Sequence, residues 1–344
     1  MLVAGLAGLA VVAAAISAPR WLLERPVGRP VDEQANWLRV ARGESFARVA
    51  ARIEQSGWAA PAWLLRFEAR RRGVDRTVAP GWYEHRDNET VSALIDRLGR
   101  GEIAVTRVTI PEGWRLDRIL RVLADSTRCD HDSLRALTND PCWLAQHGIV
   151  TKTAEGYVFP ETYLIARGEQ PRAVLDQIVA PGEQFFRDSL ATRAAEVGLD
   201  RNEVWTLASI IEAEAARPEE RRLIAAVFWN RLELGMRLES DPTVLHALGR
   251  PPGRVLYADL EVDSPYNTYR RTGLPPGPIC APGADALRAA VSPEPRFDAL
   301  FFVARGDGSH VFSRTFSEHG RARAAIRAGQ IGAARREPSV RRTG

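Results

Sequence analysis

The stretch Asp200–Ala216, DRNEVWTLASIIEAEAA, constrains the fold more than any other. Asp200 with Glu203 three residues on is the spacing of a capping box, so a helix starts there. Val204, Leu207, Ala208 and Ile211 then recur at i, i+3, i+4 and i+7, which buries one stripe of that helix. At about 100° per residue, Glu212 falls roughly 90° from the centre of the stripe, on the flank shared with Trp205 and Ser209. A carboxyl group on the edge of an apolar face is partly desolvated, and desolvation favours its protonated form. A group held that way can serve as a general acid near neutral pH. An ordinary helix-surface glutamate is the competing reading, so helix geometry nominates Glu212 without deciding its role.

With 344 residues the chain is long enough for two domains, each with a core. Its formal charge of +4 comes almost wholly from arginine, Lys152 being the only lysine. No zinc finger, homeodomain or RNA-recognition signature accompanies that charge, so nucleic acid is not the expected partner. Six histidines form no HExxH pair, and three cysteines lack metal-ligand spacing, so neither a metal nor another cofactor is expected. In an extracytoplasmic compartment Cys129 and Cys142 could bridge. Cys280 reads as a small buried residue.

Leu2–Ala18 is an uninterrupted apolar run. It is at the short end for a membrane helix, and its small residues also suit a cleaved signal peptide. No basic residue precedes the run, while Arg20, Arg25 and Arg29 follow it, which by the positive-inside rule would leave the body in the cytoplasm. Residues 19–35 read as a linker.

Then comes a β-α-α-β order. A strand at Trp37–Ala41 leads through a turn at Gly43 to a helix from Ser45 to Gln55. A second helix runs from Pro61 to about Arg72, and a strand follows at Trp82–Arg86. Asn88 is the expected cap of the next helix, and Ala104–Pro111 the next strand. This predicts a small α+β domain ending near residue 108.

Further on, Glu155-Gly-Tyr-Val-Phe-Pro-Glu-Thr-Tyr163 gathers carboxylates and aromatic rings around a turn, which suits a sugar-facing loop or a strand with buried rings. Asp241-Pro242 is expected to cap a short helix. The loops at 264–269 and 273–279 are stiffened by proline and suit a cleft wall. Ala299–Ala304 and His310–Ser313 are predicted to pair across Arg305-Gly-Asp-Gly-Ser309. The tail beyond about residue 330 is basic and reads as disordered.

The segments EGYVFPETY, LASIIEAEA, VFWNRLELGMRLESDPTV, SPYNTYRRTGLPPGPICAPG and FFVARGDGSHVFS stand in the order found in one family. From about Val108 to Arg323 the chain resembles the endolytic murein transglycosylases (MltG, or YceG-like). The block before Ile110-Pro-Glu-Gly-Trp114 resembles their LysM-like module. The resemblance implies an α+β protein with an N-terminal membrane helix at 1–18, a linker at 19–35 and a LysM-like domain at 36–108. A catalytic domain at 109–330 and a tail at 331–344 would complete it. It implies a lyase that cuts the MurNAc-β-1,4-GlcNAc bond within glycan strands and leaves 1,6-anhydro ends. Glu212 is the match for the catalytic glutamate of the LASIIEAEA segment. Glu155, Tyr157, Glu161, Asn230, Asp241, Tyr266 and Asn267 are nominated for sugar contact, and Glu214, about 200° round the helix from Glu212, is read as structural. The implied partners are peptidoglycan strands, the membrane and a peptidoglycan synthase, with the enzyme outside the cytoplasmic membrane and no cofactor. A muramidase, which needs a second carboxylate, and a non-catalytic glycan-binding scaffold are the alternatives.

Overall fold

The computed structural model describes residues 21–58 and 61–329. The chain divides into two units. One takes the described residues up to Val108 with Asp125–Cys129 and Leu164–Gln170, and the other takes the remainder.

In the first unit, β1 (Trp37–Val40) and β2 (Gly81–Glu84) are antiparallel, with Trp37 opposite Glu84 and Val40 opposite Gly81. Helices Phe46–Gln55 and Ala62–Arg72 lie between them in sequence, and Val91–Arg100 follows β2. Phe46, Val49, Ala50 and Ile53 keep helical spacing, and all four are buried with Leu38, Val40, Leu64, Leu65, Tyr83, Leu94 and Leu98. Thr90, not Asn88, caps the third helix by accepting the Ala93 N–H at 3.1 Å. Asn88 instead takes a left-handed turn conformation, φ 61°. Arg97 is buried and held in a fork by Glu89, both contacts 2.7 Å.

The expected linker proves to be part of this unit over much of its length. Leu23 and Val27 are buried in the core, the Val27 N–H donates to the Glu89 carbonyl at 2.6 Å, and the Gly28 N–H donates to that of Trp58 at 2.6 Å. Two apolar side chains and a bridge between Pro26 and Thr90 hold what proline and arginine content alone had suggested was free.

β3 (Val105–Thr109) and β4 (Thr162–Ala166) form a second two-stranded sheet. In the second unit, helix Arg201–Glu214 is the central element and packs against helices Ala284–Val291, Arg221–Glu233 and Asp241–Ala247. Residues Val204 to Ile211 are buried without a break, so the helix is enclosed on every side rather than along one stripe. The hairpin of β5 (Phe301–Ala304) and β6 (His310–Ser313) closes as expected, with the Arg305 N–H donating to the Ser309 carbonyl at 2.8 Å.

All three cysteines are free, so the bridge between Cys129 and Cys142 is not made. The Cys129 thiol is spent on the Glu169 carbonyl at 3.1 Å and that of Cys280 on the Ser209 carbonyl at 3.3 Å. Among the described residues no helix is long and apolar enough to cross a membrane. The anchor expected at 1–18 and the tail at 331–344 lie outside the described residues.

Candidate active site

The central helix delivers two carboxylates from its last turn. Asp200 accepts the Glu203 N–H at 2.8 Å and Glu203 returns the bond to the Asp200 N–H at 2.8 Å, which fixes the start of the helix. Eight buried residues then fix its axis, so Glu212 and Glu214 leave it in set and different directions.

Glu212 is enclosed by donors. One oxygen accepts from the Arg221 guanidinium at 3.0 Å, and the other accepts the Gly283 N–H at 3.1 Å. The same Arg221 nitrogen reaches Glu112 at 3.0 Å. The side chain of Glu212 is 7% exposed, and that of Arg221 10%. Gly283 leaves room for the group: a Cβ there would stand 1.8 Å from a carboxylate oxygen of Glu112. Burial raises the pKa of Glu112 and the nearby charge of Glu212 raises it further, while Arg221 opposes both. One cation thus serves two carboxylates. The helix stripe leads one to expect an apolar flank beside Glu212, whereas a cation and an amide occupy it.

Glu214 is in a different setting. It lines a cavity of about 400 Å³ with Arg231, Asp241, Tyr269, Phe301 and His310. One of its oxygens accepts the Ser240 hydroxyl at 2.6 Å. Burial pushes its pKa up to about 7; the Asp241 charge adds to the shift, and the Ser240 bond and Arg231 oppose it. Asp241 accepts the Tyr269 hydroxyl at 2.7 Å. That bond corrects the expected capping role. Ser240 stands at the cap position, where its side chain makes no capping bond, and Asp241 is the first helical residue, with its carboxylate turned to Tyr269. Burial and the Asp241 charge hold the Tyr269 hydroxyl in its protonated form.

Arg231 braces the cavity wall. Its guanidinium donates to the carbonyls of Arg237 (3.0 Å), Leu238 (2.9 Å) and Leu300 (2.6 Å), tying helix Arg221–Glu233 to the loop before Asp241 and to the residue preceding β5. In that loop Glu239 holds φ 51°, a left-handed conformation that costs a non-glycine residue energy and is enriched at functional sites.

Of the residues nominated from sequence, only Asp241 lines this cavity. Asn230 bonds the carbonyls of Phe297 and Ala299 at 2.8 and 2.9 Å. Asn267 is fully buried, donates to the Leu260 and Val262 carbonyls, and accepts the Tyr269 N–H. Tyr157 is buried, donates to Asn202 at 2.9 Å and stacks on Trp205. These three support backbone and core. Glu161 is exposed. Glu155 accepts the Leu116 N–H at 2.9 Å, and burial raises its pKa to about 7. Tyr266 packs on His246, whose pKa burial lowers to about 4.

Around Glu214, which the sequence reads as structural, the structure gathers Ser240, Tyr269 and Arg231, which the sequence does not nominate. The available signal was adjacency. Ser240 precedes Asp241, Tyr269 lies two residues past Asn267, and Arg231 follows Asn230, so each adjoins a residue that the sequence nominates.

A family model described as the YceG-like family matches residues 38–325. The chain belongs to the YceG-like family. It is 31% identical over 304 residues to the endolytic murein transglycosylase of Bacillus subtilis strain 168, covering 83% of each chain. It is 27% identical over 314 residues to the protein of the same name from Streptococcus pneumoniae D39, where the match takes in 82% of this chain and 56% of the relative. The crystal structure of a putative yceG-like protein from Listeria monocytogenes superposes with a TM-score of 0.59 at 29% identity, over 83% of this chain and 97% of that one. The α+β architecture is therefore that of a YceG-like fold.

Proposed function

We propose that this protein is an endolytic murein transglycosylase, a lyase that cuts the MurNAc-β-1,4-GlcNAc bond inside peptidoglycan strands. The observation that carries the reading is the Glu214 cavity, in which a carboxyl group titrating near neutrality faces aromatic and cationic side chains. Membership of the family and the names of the Bacillus and Streptococcus relatives support the substrate class.

In this reading Glu214, rather than Glu212, is the acid. A pKa of about 7 leaves a large protonated fraction at neutral pH, as general-acid work requires. Glu214 donates its proton to the glycosidic oxygen as positive charge develops at C1 of the muramic acid. The bond to the leaving GlcNAc breaks, and the new Glu214 carboxylate takes the proton of the muramic acid 6-hydroxyl. That oxygen closes on C1, giving a 1,6-anhydro end and restoring the acid with no water consumed. The Ser240 hydroxyl orients Glu214 throughout. Glu212, named by the segment match, keeps the helix end in place through Arg221 and Gly283.

Asp241 favours a second reading, because a second carboxylate on the same cavity is what a hydrolase would use. Its bond to Tyr269 supports a positioning role instead. The product decides: isolated sacculi should release muropeptides lighter by one water than the reducing-end products of hydrolysis. Reducing ends alone would replace the lyase with a muramidase, and binding without any release would leave only a scaffold.

Action on peptidoglycan puts the catalytic unit outside the cytoplasmic membrane. We place the anchor in residues 1–18 as a single membrane pass and expect a peptidoglycan synthase nearby. Protease accessibility in intact spheroplasts tests the topology, and protection of the whole chain would overturn it.

A further inference from the structure

β6 brings an imidazole to the wall of the Glu214 cavity. His310 is its first residue and lines the cavity with Phe302 and Tyr269. The His310 side chain is only 6% exposed. Behind it stands Glu220, the last residue of a single 3-10 turn, Pro218–Glu220, and nearly as deeply buried. One carboxylate oxygen of Glu220 accepts the His310 backbone N–H at 3.0 Å, and the other meets Nδ1 of the ring at 2.6 Å.

These two bonds fix the protonation pattern of the ring. A carboxylate only accepts, so Nδ1 carries a proton in its bond to Glu220. In the neutral ring the other nitrogen, Nε2, then keeps a bare lone pair. Nε2 makes no hydrogen bond among the described residues, and it is not one of their buried unpartnered atoms, so it reaches open space. The carboxyl groups of the cavity already hold donors: Glu214 takes the Ser240 hydroxyl, Asp241 that of Tyr269 and Glu239 the Arg231 guanidinium. His319 also lines the cavity, but its unpartnered Nδ1 is sealed within the fold.

A brace between the turn and β6 needs only the backbone bond. Burying a carboxylate merely to hold two segments together is a poor route to stability, because desolvation offsets the gain. A carboxylate bonded to one ring nitrogen does something more specific, since it fixes the tautomer and so the state of the other nitrogen.

We propose that His310 is a substrate-binding residue whose Nε2 accepts a hydrogen bond from the glycan, and that Glu220 positions it by setting the tautomer. The donor is an acetamido N–H or a hydroxyl other than the muramic acid 6-hydroxyl, whose proton goes to Glu214. The inference rests on the reading of this cavity as the place where the strand is held.

The test is nitrogen-15 NMR of the full-length chain labelled at histidine, with His310→Asn to assign the ring. The probe is a peptide-free oligosaccharide of alternating GlcNAc and MurNAc. Nδ1 should be protonated and Nε2 bare, and the probe should shift Nε2 more than Nδ1. In Glu220→Gln the amide oxygen must face the His310 N–H, so the amide NH2 faces Nδ1 and the ring proton moves to Nε2. His310→Asn keeps a donor for Glu220 and loses Nε2. Each variant should raise KM for the probe about tenfold, with kcat changed less. A purely structural pair would leave KM where it is, and that result overturns the inference. So does an Nε2 that carries the proton in the parent or does not respond to the probe. Glu214→Gln keeps the two readings apart. If it abolishes release while Nε2 ignores the probe, the inference fails and the acid assignment stands; if release persists while Nε2 still responds, the reverse holds.

Discussion

Glu212 and Glu214 are separated by one residue on the same helix, yet they face opposite chemical settings. Glu212 meets a guanidinium and a backbone N–H, its side chain nearly sealed from solvent. Glu214 meets a hydroxyl and an open cavity, and burial pushes its pKa to about 7. The difference lies in the surroundings rather than in residue type: a cation and an amide engage one carboxyl group, while the other faces a cavity. An ion-paired group is committed to the fold. A desolvated group on a cavity wall can gain and lose a proton without breaking a bridge.

The largest effect should come from Glu214→Gln, which removes the proton donor and keeps the shape. Release of muropeptides from sacculi should fall about 10³-fold with the melting temperature little changed. Glu212→Gln should instead lower stability first. If Glu212→Gln abolishes release in a fully folded protein and Glu214→Gln does not, the two roles are reversed.

Next in size is Arg221→Ala. It strands Glu212 beside Glu112 without a cation, and breaking such a pair costs about 3 kcal/mol in global stability. Denaturant unfolding measures this, and an unchanged midpoint would show that the bridge contributes nothing. Tyr269→Phe removes the hydroxyl that positions Asp241 and should slow release by about tenfold with no loss of fold. An unaltered rate would leave the Tyr269–Asp241 bond outside the mechanism.

A separate effect is on the pH dependence of stability. Glu214 and Glu155 both have folded-state pKa values raised from 4.5 to about 7, so the folded state binds more protons than the unfolded chain in that window. Their contribution is complete below about pH 4.5 and is lost as pH rises to about 7. Glu214→Gln should flatten the decline of stability across that range. An identical slope in the variant would mean the group titrates normally.

Much of the fold was legible in the sequence because it rests on local signals. Helix spacing at Phe46–Ile53 and the Asp200–Glu203 box became the observed elements, and the hairpin turn did likewise. The linker at 19–35 was misread because two apolar residues, Leu23 and Val27, find their core only in three dimensions. The surroundings of Glu214 were legible by segment, since Ser240, Arg231 and Tyr269 each adjoin a nominated residue. A wheel drawn on one helix shows that Glu212 and Glu214 diverge. It cannot show that Arg221 and Gly283 wait on one side and Ser240 on the other, since those partners come from separate parts of the chain. The same limit applies to Asp241, where Tyr269, 28 residues on, supplies the partner that a capping rule would not anticipate.

The central claim is that Glu214 carries the exchangeable proton. Carbon-13 NMR titration of chain labelled at the glutamate carboxyl carbons, with Glu214→Gln to assign the resonance, reads that proton directly. The account predicts a midpoint of about 7 for Glu214. A midpoint near the ordinary 4.5 would contradict it, because a carboxyl group already ionised at neutral pH has no proton to give the glycosidic oxygen.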